Sequence, residues 1–259
     1  MFFKEKGEFR KAVIIAAMIF FVACCVYLLV PVDYKNYDRI VNHVYDTIAL
    51  FVVLTVYLTF KDIKDAKLSK VWFYLFLAVS FWFIGDLTRT LLVYVDISPL
   101  VSPADILYFT GYFFAVASLY QKIKDVDISR KDKINAAIVT SILLVMITMN
   151  FISIAIDGCH KGIYEKIVMV AYPIANTILV FLSVMLISAF GKKEESAPLR
   201  LICTGFILWA LADIGMSYFK CRGIHNIGFY SNYLIFIAGM LSIALGSYYR
   251  RLLLKANKN

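Results

Sequence analysis

The stretch FWFIGDLTRTLL, residues 81–92, sets Asp86 and Arg89 inside a run that otherwise reads as a membrane span. Trp82, Asp86 and Arg89 fall at i, i+4 and i+7, so a helix presents all three on one face. Charges within a span face the bundle interior or a wet cavity, and mark function unless they are paired for structural reasons. The stretch therefore sets two expectations: a helical membrane fold and a polar site inside it.

The rest of the chain reads the same way. Of 259 residues, 61% are hydrophobic and only 17% charged, with a mean hydropathy of +0.76. Ordinary soluble domains lie far from these values. A bilayer core about 30 Å thick needs about 20 apolar residues per helix. Eight such runs stand at roughly 12–31, 42–60, 70–94, 103–121, 134–156, 165–190, 197–219 and 227–249. They leave no room for a soluble domain. Backbone amides in hydrocarbon must be satisfied within their own segment, so the expected fold is an all-α integral membrane bundle of eight transmembrane helices.

Net charge is +9, and the basic residues sort by side. The N-terminal tail, the loops near 61–70, 122–133 and 192–200, and the C-terminal tail hold 20 of the 27 Lys and Arg residues. The alternate loops are poor in them. By the positive-inside rule both termini are cytoplasmic and the protein is a multi-pass component of the cell membrane. This distribution argues against nucleic acid as a partner. The 122–133 loop reads as a topology signal that also suits anionic lipid headgroups. The first span reads as an uncleaved anchor, because its apolar run continues past Cys24 to Val30 without a small-residue cleavage site.

An internal repeat is visible at an offset of 127 residues. Trp82 and Asp86 of WFIGDL fall on Trp209 and Asp213 of WALADI; Tyr45 falls on Tyr172 and Asp105 on Asn232, without a gap. Halves of about 1–127 and 128–259, with four spans each, would share one orientation, giving parallel repeats.

Polar residues cluster at one depth. Asp46 opens the second span; Asp105, Tyr108 and Tyr112 form a stripe at the start of the fourth; Asn150 closes the fifth. Tyr172 and Asn176 start the sixth, Asp213 lies in the seventh beside Trp209, and Asn232 and Tyr233 open the eighth. With eight spans, all lie in the extracytoplasmic half. Convergent acids and aromatic rings suit a cation or a hydrogen-bonding small ligand. The alternative is that they join helices, with Asp86 paired to Arg89. Gly85 is expected at a close helix contact, and Pro173 in the first turn of the sixth span.

Cys24, Cys25 and Cys203 lie in apolar runs and read as core residues. Cys159 and Cys221 fall in outer loops and are a disulfide candidate if that face is oxidising. With His160 and His225 they form a Cys2His2 set, but the spacing is not a standard zinc pattern, and no metal site is expected. His-Glu-x-x-His, Gly-x-Ser-x-Gly and glycine-rich phosphate loops are all absent from the sequence. No cofactor is indicated, and a non-enzymatic role is favoured.

The motifs WFIGDL (82–87, W-x-x-G-D-L), SPADILYFTGYFFAVASLY (102–120), AYPIAN (171–176) and ILWALADI (207–214) carry a resemblance. Over residues 42–249 the chain resembles the eight-span membrane module found ahead of GGDEF diguanylate cyclase, phosphodiesterase and histidine kinase domains in bacteria, and of kinases in methanogenic archaea. The resemblance implies a sensory input unit. Its matching positions are Trp82, Gly85, Asp86, Pro103, Asp105, Tyr108, Gly111, Tyr112, Tyr172, Pro173 and Asp213. The sequence stops ten residues after Tyr249 without an output domain, so such a unit would act through a cytoplasmic partner or a second copy of itself. Ligand sensing is thus the leading expectation. A small proton- or cation-coupled transporter is the alternative, and a lipid hydrolase using Asp86 and Asp213 is third.

Overall fold

The computed structural model describes residues 2–30, 37–95, 102–156, 163–190, 196–221 and 227–256. Among these the chain forms eight helices and no strand. They are α1 (Phe2–Leu29), α2 (Tyr37–Asp62), α3 (Ala66–Tyr94), α4 (Pro103–Ile123), α5 (Arg130–Ile156), α6 (Ile163–Phe190), α7 (Ala197–Cys221) and α8 (Ile227–Ala256). Each apolar run of the sequence falls on one helix, the first (12–31) reaching past the end of α1 at Leu29, and most of the helices run beyond their apolar stretch. Hydropathy marks only the part suited to lipid, whereas the ends are held by tertiary contacts. Phe9 stacks on Tyr249 at 4.2 Å, and Arg251 Nε donates to Asp62 Oδ2 at 2.7 Å.

Six helices (α1, α2, α3, α6, α7 and α8) are long and apolar enough to cross a membrane. Helix α4 carries Asp105, Thr110 and three tyrosines, which lower its hydropathy. Large apolar side chains nevertheless point outward from it, Ile106 at 72% and Phe113 at 68% exposure. Such outward apolar belts are the reverse of a soluble surface and match a lipid-facing one.

Local chemistry fixes the helix starts. Asp65 caps α3 by accepting from Leu68 N at 2.7 Å. Asp105, at the third position of α4, accepts from Ser102 N at 2.6 Å, while Pro103 occupies the first turn, where its missing amide costs nothing. Pro173 departs from expectation. Helix α6 begins ten residues earlier, so the proline lies in its interior and removes one amide from the ladder; the first-turn reading placed the helix start too late.

The packing order places the site. Helices α3 with α4 and α7 with α8 form the two closest pairs. Helix α2 packs on α3 and α8, and α6 packs on α7 and α4. Exchanging α2–α3–α4 with α6–α7–α8 therefore preserves the neighbour relations, whereas α1 rests on α8 and α5 on α6. At the α7–α8 crossing a Cβ on Gly205 would stand 2.6 Å from Gly239 O, and one on Gly239 would stand 2.8 Å from Gly205 O. Only glycine permits that approach. Gly111 makes the matching notch on α4, where a Cβ would collide with the Trp82 indole and stand 3.0 Å from Ala78 O. Gly111→Ala is expected to destabilise the bundle by about 1–3 kcal/mol, because the flat indole has no second seat. A lowered thermal unfolding midpoint in detergent checks this.

Helices α5 and α6 are joined near the opposite end by Asp132. The Ser129 hydroxyl donates to its Oδ2 at 2.6 Å, Ser129 N donates to the same oxygen at 2.9 Å, and the Ser188 hydroxyl donates to Oδ1 at 2.7 Å. The hydroxyl bond from Ser129, followed by that from Ser188, holds the Asp132 carboxyl below its ordinary value. A folded value below the unfolded one, near 4, gives stability that is present above about pH 4 and lost as pH falls through the folded value. Asp132→Asn is expected to flatten the acid limb of the unfolding midpoint measured against pH.

Candidate functional site

A cavity of about 140 Å³ lies between the two sets of helices, at the N-terminal ends of α2, α4, α6 and α8 and the C-terminal ends of α3 and α7. At roughly 10–15 Å³ for each water-sized position, it has room for about ten non-hydrogen atoms.

Its acids come from four helices, and each has a hydroxyl partner from another. Thr90 donates to Asp46 Oδ2 at 2.8 Å, tying α3 to α2. Tyr108 donates to Asp86 Oδ1 at 2.8 Å, tying α4 to α3. Tyr172 donates to Asp105 Oδ1 at 2.7 Å, tying α6 to α4. Tyr112 bonds Asp213 Oδ2, tying α4 to α7. One turn apart on α4, Tyr108 and Tyr112 thus reach in different directions, one within its own half of the chain and one across to the other. Gly85 permits the first reach, since a Cβ there would stand 2.8 Å from the Tyr108 ring.

The indoles of Trp82 and Trp209 stack on each other at 4.5 Å and 19°, and both line the cavity. Trp82 is buried, donates from Nε1 to Tyr108 O at 3.1 Å, and meets Tyr112 edge-on at 5.4 Å. The 127-residue offset relates the two indoles to each other. It also relates the Phe109–Tyr172 stack (4.6 Å) to the Phe236–Tyr45 edge contact (6.3 Å).

Asp86 and Arg89 do not pair. Their charged groups lie beyond 4.0 Å, although one helical turn separates them. Asp86 is 8% exposed, and its Oδ2 is buried without a hydrogen-bond donor. Arg89 lines the same cavity and makes no hydrogen bond or ion pair among the described residues. An unpaired buried carboxylate oxygen costs about 1–3 kcal/mol or more, so the helix-joining reading does not explain this pair.

Asp213 sits in a closed triangle. Tyr112 Oη meets Asp213 Oδ2 and, at 2.7 Å, Asn176 Oδ1; Asn176 Nδ2 donates to Asp213 Oδ2 at 3.0 Å. With an ionised Asp213, three contacts share two protons, one from the phenol and one from the amide. Turning the amide over moves the deficit to another side without filling it. A proton on Asp213 would complete the ring. Infrared difference spectroscopy at neutral pH is expected to show a protonated-carboxyl C=O band that Asp213→Asn removes; its absence would mean the triangle opens.

Nine of the eleven sequence candidates line the cavity. Asn176, 1% exposed, stands behind Tyr112 and Asp213 instead. Asn232 is buried against Gly215, where a Cβ would strike its Oδ1. Asp46 and Tyr233, which the sequence placed at the same depth, also line the cavity, as do Tyr45, Thr90 and Phe236. The repeat offset was the signal for Tyr45, as the counterpart of Tyr172, and for Phe236, as the counterpart of Phe109. Cys159, His160 and His225 lie outside the described residues, as do the side chains of Cys221 and Asn150, and with them the disulfide candidate and the Cys2His2 set. No group of three or more His, Cys, Asp or Glu residues among the described residues is placed to hold a metal. Cys24, Cys25 and Cys203 are free thiols.

No family model matches the chain, and no curated protein or solved structure matches it.

Proposed function

We propose that the protein is a multi-pass membrane sensor, with all eight helices spanning the cell membrane, both termini in the cytoplasm, and the cavity in the extracytoplasmic half as its ligand site. The observation that carries this reading is the buried, donor-less Oδ2 of Asp86, a residue that lines the cavity together with the unpaired Arg89. Folding alone does not favour such an arrangement, whereas a ligand would satisfy both groups. The resemblance to sensory input modules, the sorting of basic residues to one side, and the exchange of helix neighbours under the 127-residue offset support the same reading, with two parallel repeats. A ligand between the halves would favour one packing over another, by its difference in affinity for the two. That shift would pass along α2 and α8 to the Asp62–Arg251 bond at the far end, where a cytoplasmic partner or a second copy would sense it.

Native mass spectrometry of detergent-released protein tests the reading. Wild type is expected to carry a small molecule besides lipid, and Asp86→Asn to lose it. Retention in the variant would place the ligand elsewhere.

One observation favours a second reading, a proton-coupled transporter. The Asp213 carboxyl, held by Tyr112 and Asn176, is the element such a carrier would load with a proton and release. Uptake into proteoliposomes that follows a pH gradient and vanishes in Asp213→Asn would select transport over sensing.

A further inference from the structure

We infer that the cavity takes a small zwitterion of the amino-acid type, its carboxylate on Arg89 and its ammonium on Asp86. The inference rests on the reading of the cavity as a ligand site. Four observations narrow the class.

The first is the unmet chemistry. Asp86 Oδ2 lacks a donor and asks for an N–H; a quaternary ammonium would leave it unmet. The Arg89 guanidinium presents donors to the cavity and asks for a planar anion. The second is their spacing. Opposite charges three residues apart on a helix ordinarily close on each other. Here Tyr108 takes Asp86 Oδ1, and the two heads stay more than 4.0 Å apart. A molecule with both charges spans that gap.

The third is the charge balance. Asp105 is engaged at both oxygens, by Tyr172 and by the α4 cap. Asp46, Asp86 and Asp105 line the cavity against a single guanidinium, Arg89. A lone anion is thereby disfavoured, and a lone amine leaves Arg89 unmet. The fourth is size. Room for about ten non-hydrogen atoms suits an amino acid.

Isothermal titration of the full chain in detergent, with alanine, β-alanine and 4-aminobutanoate set against propylamine and propanoate, tests this. At least one zwitterion is expected to bind about tenfold tighter than propylamine, the increment of one added charge-assisted hydrogen bond, and propylamine tighter than propanoate. Arg89→Gln should lower zwitterion affinity to the amine level or below while propylamine binds at least as tightly as to wild type, which also shows the variant to be folded. Asp86→Asn should weaken both. Equal binding of amine and zwitterion, or zwitterion binding indifferent to Arg89→Gln, would overturn the zwitterion and leave the cavity a ligand site. Failure of every probe at about 10 mM would overturn it also, and the molecule carried by the native protein then decides whether the sensor reading survives.

Discussion

Asp86→Asn abolishes ligand binding and leaves the protein at least as stable as wild type: this is the expected result, and it separates a binding site from a helix joint. The asparagine oxygen still accepts the Tyr108 hydroxyl, so the α3–α4 connection persists. What disappears is the charge on a buried oxygen with no donor, and the neutral amide nitrogen in its place costs less to bury. Removing that charge offsets the loss of the carboxylate's stronger hydrogen bond with Tyr108. A helix-joining Asp86 would behave oppositely, since breaking a buried pair is destabilising by about 3–5 kcal/mol. Paired measurements of unfolding midpoint and ligand occupancy on the same preparation decide it. A large fall in midpoint would return Asp86 to a structural role.

Trp82→Ala is expected to have the largest effect on stability, about 3–5 kcal/mol. Its indole is 2% exposed, stacks on Trp209, meets Tyr112 and Phe206 edge-on, donates to Tyr108 O and fills the notch left by Gly111. Truncation leaves a cavity beside an unsupported Trp209, where lipid and water have no good seat. Because the two stacked rings bridge the halves of the chain, the loss should appear as reduced cooperativity as well as a lower midpoint. Trp82→Phe should recover part of the loss by keeping a ring, while forfeiting the bond to Tyr108 O. A Trp82→Ala protein within about 1 kcal/mol of wild type would contradict the central place given to this stack.

The helices were legible because hydrophobic runs of span length have few alternatives. Their ends were not. Phe9, Asp62 and Arg251 extend helices through contacts with residues distant in sequence, which hydropathy does not register. Pro173 was misplaced for the same reason: a proline suggests a helix start, and α6 tolerates it within its interior. The site was legible wherever a charge broke an apolar run, as at Asp86, Asp105 and Asp213. Phe236 was harder, since an aromatic residue near a span end is unremarkable until neighbours show that it faces a cavity. The proton count at Asp213 was invisible, because it depends on Tyr112 and Asn176 arriving from two other helices. Pairing, unlike patterning, is a property of the fold.

A high-resolution experimental density map of the ligand-free protein and of the protein soaked in the tightest-binding probe tests the central claim most directly. The expected result is Asp86 and Arg89 held apart across an open cavity, with new density joining them in the soaked protein. Direct pairing of the two side chains over a cavity filled by Trp82, Trp209 and Tyr233 would contradict it.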